Sequence, residues 1–260
     1  MFPHHLRRKA RARPGRRRRR GHAGRILARI SLYLLLIWGS IVAGTALYTG
    51  GVPAAWNPFT PFDPAAAPGP LTKYKLARDV GTTEACLAAL DGLDDLRAAR
   101  LRDRRVSDTC YIDGHVQVRG LSGASMWPVS TSCQTALRLY LWERHAVQPA
   151  ARAYLAAEVA RIDHLQSYAC RPLRTGTGDA QMMSAHATAR AIDISGVRLD
   201  DGRRLALLDG WAAPDTRERR FWRALRDGAC DWFDTVLTPD FNSLHANHFH
   251  LGTERTGACR

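Results

Sequence analysis

The first 29 residues contain no aspartate and no glutamate, and the nineteen that follow contain no charge of either sign. The six cysteines form no CxxC pair, which argues against a structural zinc ribbon. No internal repeat is visible, so a stacked-repeat architecture is excluded. The formal net charge of +14 suggests a nucleic-acid binder until its location is considered. Eleven arginines and one lysine lie in residues 1–29, so subtracting +12 from +14 leaves only +2 for everything downstream. The basicity belongs to a tail, and no nucleic-acid partner is expected of the folded part.

Residues 30–48 form an uninterrupted apolar run, close to the roughly 20 residues that a helix needs to cross a bilayer. Arginine-rich flanks stay on the cytoplasmic side. The reading is a single-pass membrane protein, with a cytoplasmic tail at 1–29 that touches anionic lipids and a periplasmic C-terminal domain. A cleaved signal peptide is the competing view. Its apolar core would be shorter, about 7–15 residues, and its small-residue cut site would follow that core. Here Ala43, Gly44 and Ala46 lie inside the run, which favours an uncleaved anchor.

Residues 49–70 carry Pro53, Pro58, Pro61, Pro64, Pro68 and Pro70 and read as a semi-extended spacer. The folded domain is expected over 71–260, long enough for one hydrophobic core. All six cysteines fall in it. Their even number in an exported domain suggests up to three disulfides, with fifteen pairings open.

Helices are expected over 83–90, 132–143, 149–157 and 215–230, and strands over 111–118, 159–168, 189–195, 234–237 and 247–251. A loop rich in Gly and Ser is expected after 118, and a turn-prone loop over 174–179. Asp200-Asp201-Gly202 marks a hairpin. Helices and strands mixed with hairpin connections indicate an α+β fold.

The chemistry concentrates in two segments. His245, His248 and His250 lie within six residues, and upstream Ser184-Ala185-His186 precedes Asp193. On a strand, alternate residues share a face. His248 and His250 then point one way while Phe249 enters the core, and Asp193 lies opposite Ile192 and Ile194. Imidazoles with one carboxylate and a spare base are the donor set of a catalytic zinc site. His115, His145 and His164 read as ordinary structural histidines.

Ser184-Ala185-His186 with Asp193, followed by His245-x-x-His248-Phe249-His250, resembles the pattern of the LAS-type peptidoglycan metallopeptidases, grouped with lysostaphin, D-alanyl-D-alanine peptidases and the hedgehog signalling domain. The last motif is similar to that of the penicillin-insensitive murein endopeptidase. From Cys86 onward the chain resembles the bacterial extensin-like C-terminal domain family, through residues 147–152, Ser167-Tyr168-Ala169-Cys170-Arg171, residues 184–186, 191–194, 227–230 and 248–251. The resemblance implies a single LAS-metallopeptidase-like domain, a small antiparallel sheet with flanking helices, behind the membrane helix. It implies zinc held by His186, Asp193 and His250, with His248 as general base, His245 on the oxyanion or leaving group, and Arg171 polarising the scissile carbonyl. Peptidoglycan peptides are the implied substrate. Asn247 stands where many relatives carry a basic glutamate, so a non-catalytic wall-binding module is the alternative. The chain lacks Ser-Pro-rich repeats, and the family name implies nothing about plant wall glycoproteins.

Overall fold

In the computed structural model, described over residues 17–175, 178–214, 216–254 and 257–260, the chain divides into two compact units, Met1–Phe59 and Thr60–Arg260. The basic tail up to residue 16 and Asp215 lie outside the described residues.

In the first unit, helix α1 spans Arg17–Tyr48. His22–Tyr48 is long and apolar enough to cross a membrane, so the helix begins well before the apolar run. A single 3-10 turn at Ala54–Trp56 follows, as expected of a proline-rich stretch.

The second unit takes in residues 60–70 as well. The Phe62 N–H donates to Asp79 (2.7 Å), and the Pro64 carbonyl accepts from the His145 ring (2.8 Å). The unit's first three helices are α2 (Thr72–Val80), α3 (Thr83–Asp91) and α4 (Cys133–Trp142). Thr82 and Ser132 cap α3 and α4 by accepting from Ala85 and Thr135. A π-turn, Glu143–Val147, leads into α5 (Gln148–Leu155), then come α6 (Leu207–Trp211) and α7 (Arg217–Trp232). Thr216 caps α7, whose apolar face buries Phe221, Trp222, Leu225, Ala229 and Trp232.

The strands are β1 (Arg97–Arg100), β2 (Arg104–Arg105), β3 (Tyr111–Ile112), β4 (His115–Gly120), β5 (Ser125–Ser132), β6 (Val159–His164), β7 (Pro172–Thr175), β8 (Gly178–Met183), β9 (Ala191–Leu199), β10 (Arg204–Ala206), β11 (Thr235–Leu237) and β12 (Phe249–Gly252). The main sheet has eight strands in the order β1-β4-β5-β6-β9-β12-β11, with β10 also paired to β9. The sheet is therefore mixed, not small and antiparallel: β5 and β6 run parallel. The cause is the connection between them, since α4, the π-turn and α5 form a helical crossover that returns the chain in the same direction.

Three further expectations are corrected. The strand expected over 111–118 breaks at Gly114 (φ +59°), where a Cβ would meet Thr83 at 2.8 Å. The loop expected after 118 is confined to residues 121–124; from Ser125 the chain forms β5, where pairing with β4 and β6 overrides the polar composition. Of the loop expected over 174–179, Arg174 and Thr175 belong to β7 and pair with Asp179 and Gly178 of β8, while residues 176 and 177 lie outside the described residues. The hairpin at Asp200-Asp201-Gly202 joins β9 to β10, with Gly202 at φ +91°.

One sheet face, with Val116, Val118, Ile162, Ile192, Ile194 and Leu251, packs with the helices into a single core. Three disulfides join Cys86 to Cys133, Cys110 to Cys170 and Cys230 to Cys259. These pairings link α3 to α4, the turn before β3 to the approach to β7, and α7 to the C-terminus.

Candidate metal centre

The site forms where two antiparallel strands bring their polar positions into register. His250 on β12 pairs directly with Asp193 on β9, and Phe249 pairs with Ile194. Phe249 and its neighbours Ile192 and Ile194 are wholly buried. Trp211 and Trp222 pack edge-on against the Phe249 ring. The core therefore fixes which way each strand faces, and the intervening residues are left to the opposite side. The third member, His186, comes from a 3-10 turn over Ala185–Thr188 that enters β9 through Ala189 in a left-handed conformation.

Three atoms converge. His186 Nε2 lies 3.1 Å from His250 Nδ1 and 3.2 Å from Asp193 Oδ1, and His250 Nδ1 lies 3.1 Å from Asp193 Oδ1. His186, Asp193 and His250 are 1%, 5% and 9% exposed. Each offers one donor atom to a common point, as a bound cation requires.

Neighbouring groups orient these rings. The Ser167 carbonyl accepts from His186 Nδ1 (3.0 Å), so the lone pair of the neutral ring lies on Nε2. Ser167 is held in turn by its hydroxyl, which donates to the Ala191 carbonyl (2.6 Å). Ser184 accepts from the His186 N–H and caps the 3-10 turn, so it positions the backbone and not the ring. On the far side of His250, Nε2 faces Glu254 Oε1 at 3.6 Å. The sequence reading missed both Ser167 and Glu254. Glu254 is four residues past His250, but β12 ends between them, so no regular period relates the two.

The other two histidines complete a cluster. His245 rings pack against His248 and His250 at 5.2 and 5.9 Å between centroids. His245 Nδ1 donates to Asn242 (2.7 Å) and His248 Nδ1 to Asn247 (2.9 Å). His248 Nε2 is thereby turned towards Asp193 Oδ1, at 3.7 Å. His248 immediately precedes β12, on the side of His250 as alternation requires. Arg171 lies at the start of the β7–β8 hairpin, its guanidinium donating to the Pro172 carbonyl (3.2 Å).

Electrostatics separate the cluster into two groups. Burial opposes charge on Asp193, but hydrogen bonds from His186 and His250 hold its carboxyl well below the usual range. Burial likewise opposes charge on His250, and the Asp193 and Glu254 carboxylates overcome it, raising the ring to about 9. His245 moves the other way, pushed to about 4 by burial and then by the adjacent His248 and His250. Burial also lowers His248, only partly offset by Asp193, with Arg171 adding a small push in the same direction. At neutral pH the cluster thus contains two neutral, proton-accepting imidazoles beside a carboxylate-bound donor set.

The family model of the extensin-like protein C-terminus matches residues 84–260. No curated protein and no solved structure gives a significant match. The matched region spans well over half of the chain and contains every residue of the cluster, so the chain belongs to the extensin-like C-terminal family.

Proposed function

We propose that this chain is a membrane-anchored zinc hydrolase of LAS-peptidase type that cleaves amide bonds in peptidoglycan peptides from the periplasmic face of a bacterial inner membrane. The observation that carries the reading is the triangle of His186 Nε2, Asp193 Oδ1 and His250 Nδ1, with sides of 3.1–3.2 Å. Tetrahedral zinc with ligands at about 2.0–2.1 Å requires donors about 3.3 Å apart. Two imidazoles and a carboxylate also leave a fourth position free, as catalytic zinc sites do. The donor set fits.

Bound zinc supplies Lewis acidity and makes water acidic enough to attack near pH 7. The residues do the rest. His248, neutral and with Nδ1 tied to Asn247, offers Nε2 as the acceptor for the proton of the attacking water. It then returns that proton to the departing amine. His245, with Nδ1 committed to Asn242, also accepts at Nε2 and orients the amine N–H. Negative charge on the former carbonyl oxygen falls to Arg171.

The test is metal analysis of the purified chain, with mass spectrometry of its products on intact sacculi. One zinc per chain and new amide-cleavage products are expected, both lost in His250→Ala and Asp193→Ala. Full zinc occupancy without any product would overturn hydrolysis.

A second reading, a wall-binding module without turnover, is favoured by Asn247 at the position of the relatives' glutamate. It expects sedimentation with insoluble peptidoglycan that survives His248→Ala, and it fails if that substitution abolishes a measured cleavage.

A further inference from the structure

The sheet face that carries the donor set continues away from it as an open surface. The Leu165 N–H donates to the Asp193 carbonyl (2.8 Å), and the Asp193 N–H donates to the Gln166 carbonyl (3.0 Å). The chain leaving β6 is thus one strand removed from the donors. Beyond it stands Trp127 on β5. The two large apolar side chains on this path are 52% and 60% exposed, Leu165 and Trp127 respectively.

Trp127 is exposed yet held. Its carbonyl accepts from His164 Nε2 (2.9 Å), and Pro128 stiffens the next step of the strand. The Arg161 guanidinium lies over the indole, 5.0 Å from the ring centroid. Asp163 in turn pairs with Arg161 (3.1 Å) and with Arg198 (3.3 Å). One ring face is backed by a braced cation, leaving a fixed apolar plane with a polar rim, two strands from Asp193.

Resting on the reading just proposed, we infer that Trp127, with Leu165, is a stacking subsite for a sugar ring of the glycan strand that bears the cleaved peptide. The sheet topology argues against an extended peptide there, because β6 is paired on both edges, to β5 and to β9. The β5–β6 ladder pairs Ser125 with Arg161 and Met126 with Ile162, and the His164 ring donates to the Trp127 carbonyl, so the backbone on either side of the indole is already engaged. Recognition must therefore use side-chain faces. Arg161 and Arg198 share Asp163, so the flat indole is the largest uncommitted element. The apolar face of a pyranose covers such a ring while its hydroxyl and amide groups meet the polar rim.

The test is binding of N-acetylglucosamine oligomers, and of intact sacculi, to the full chain in detergent micelles, for the wild type, Trp127→Ala and Trp127→Phe. Trp127→Ala is expected to weaken both by roughly tenfold, and Trp127→Phe to retain most of the affinity. Zinc content and cleavage of a soluble stem peptide should not change in either variant, which also verifies folding. Equal binding by Trp127→Ala and wild type overturns the subsite, as does competition at Trp127 by free stem peptide but not by the sugar oligomer. If wild type cleaves nothing while Trp127-dependent glycan binding persists, the hydrolase reading falls and the subsite stands.

Discussion

His186 owes its usable nitrogen to a backbone carbonyl. Because Ser167 accepts from Nδ1, the imidazole cannot turn its other nitrogen into the site without leaving a buried acceptor empty. Glu254 performs the matching task for His250 from the opposite side. Carboxylates placed behind ligating histidines fix the ring and raise its basicity. Glu254→Gln should therefore weaken zinc affinity by roughly 10–100-fold in a chelator-competition titration, with the three disulfides still formed. The pH dependence of metal uptake follows from the same residue. His250 is raised to about 9, so it is protonated at neutral pH and must lose that proton to coordinate. Zinc affinity should rise with pH and level off near 9. Calorimetry in buffers of different ionisation enthalpy should show proton release at pH 7, and a pH-independent affinity between 6 and 9 would contradict this assignment.

At the scale of elements, two devices outside the site keep its strands in place. The π-turn buries Glu143, which accepts from Gly123 N–H and Ala124 N–H (3.1 Å each), from the Ser122 hydroxyl and from Gln148. The Gln148 amide also bonds both the carbonyl and the N–H of Val159 (2.9 and 3.0 Å), holding α5 against the first residue of β6. This network accounts physically for the Val147-Gln148-Pro149 stretch, which carries no chemistry of its own. Gln148→Ala leaves several buried groups unpaired and should cost about 2–4 kcal/mol, read as a lower urea midpoint. The second device is the Cys110–Cys170 bond, immediately before Arg171. Replacing both cysteines by alanine should cost about 2–4 kcal/mol and lower kcat on sacculi through loss of Arg171 placement, with zinc content unchanged. An undiminished kcat would remove Arg171 from the reaction.

For the whole molecule, charge and hydropathy are distributed unevenly, with twelve Arg and Lys residues in 1–29 and the apolar run of α1 directly after them. If the basic tail sets orientation, replacing the arginines of residues 7–20 by glutamine should give mixed orientations of a C-terminal reporter fusion. Loss of a salt-sensitive nucleic-acid interaction without reorientation would assign the tail differently. Within the second unit, the open sheet face and the helix-covered face divide the work. The covered face supplies the core, and the other face holds both the donor set and the Trp127 platform.

Much of the donor set was legible because strand alternation is a local rule. The apolar run Ile192, Ile194, Phe249, Leu251 dictates that Asp193 and His250 share the remaining face. The apolar span of α1 and the Asp-Gly turn before β10 are equally local. What only the tertiary structure decided involves partners distant in sequence. The disulfide pairing, the parallel β5–β6 contact, the Ser167 carbonyl behind His186 and the Glu254 carboxylate behind His250 depend on chain crossings that no sequence period records. Backbone acceptors are identical at every residue, so only folding selects which carbonyl lies behind His186.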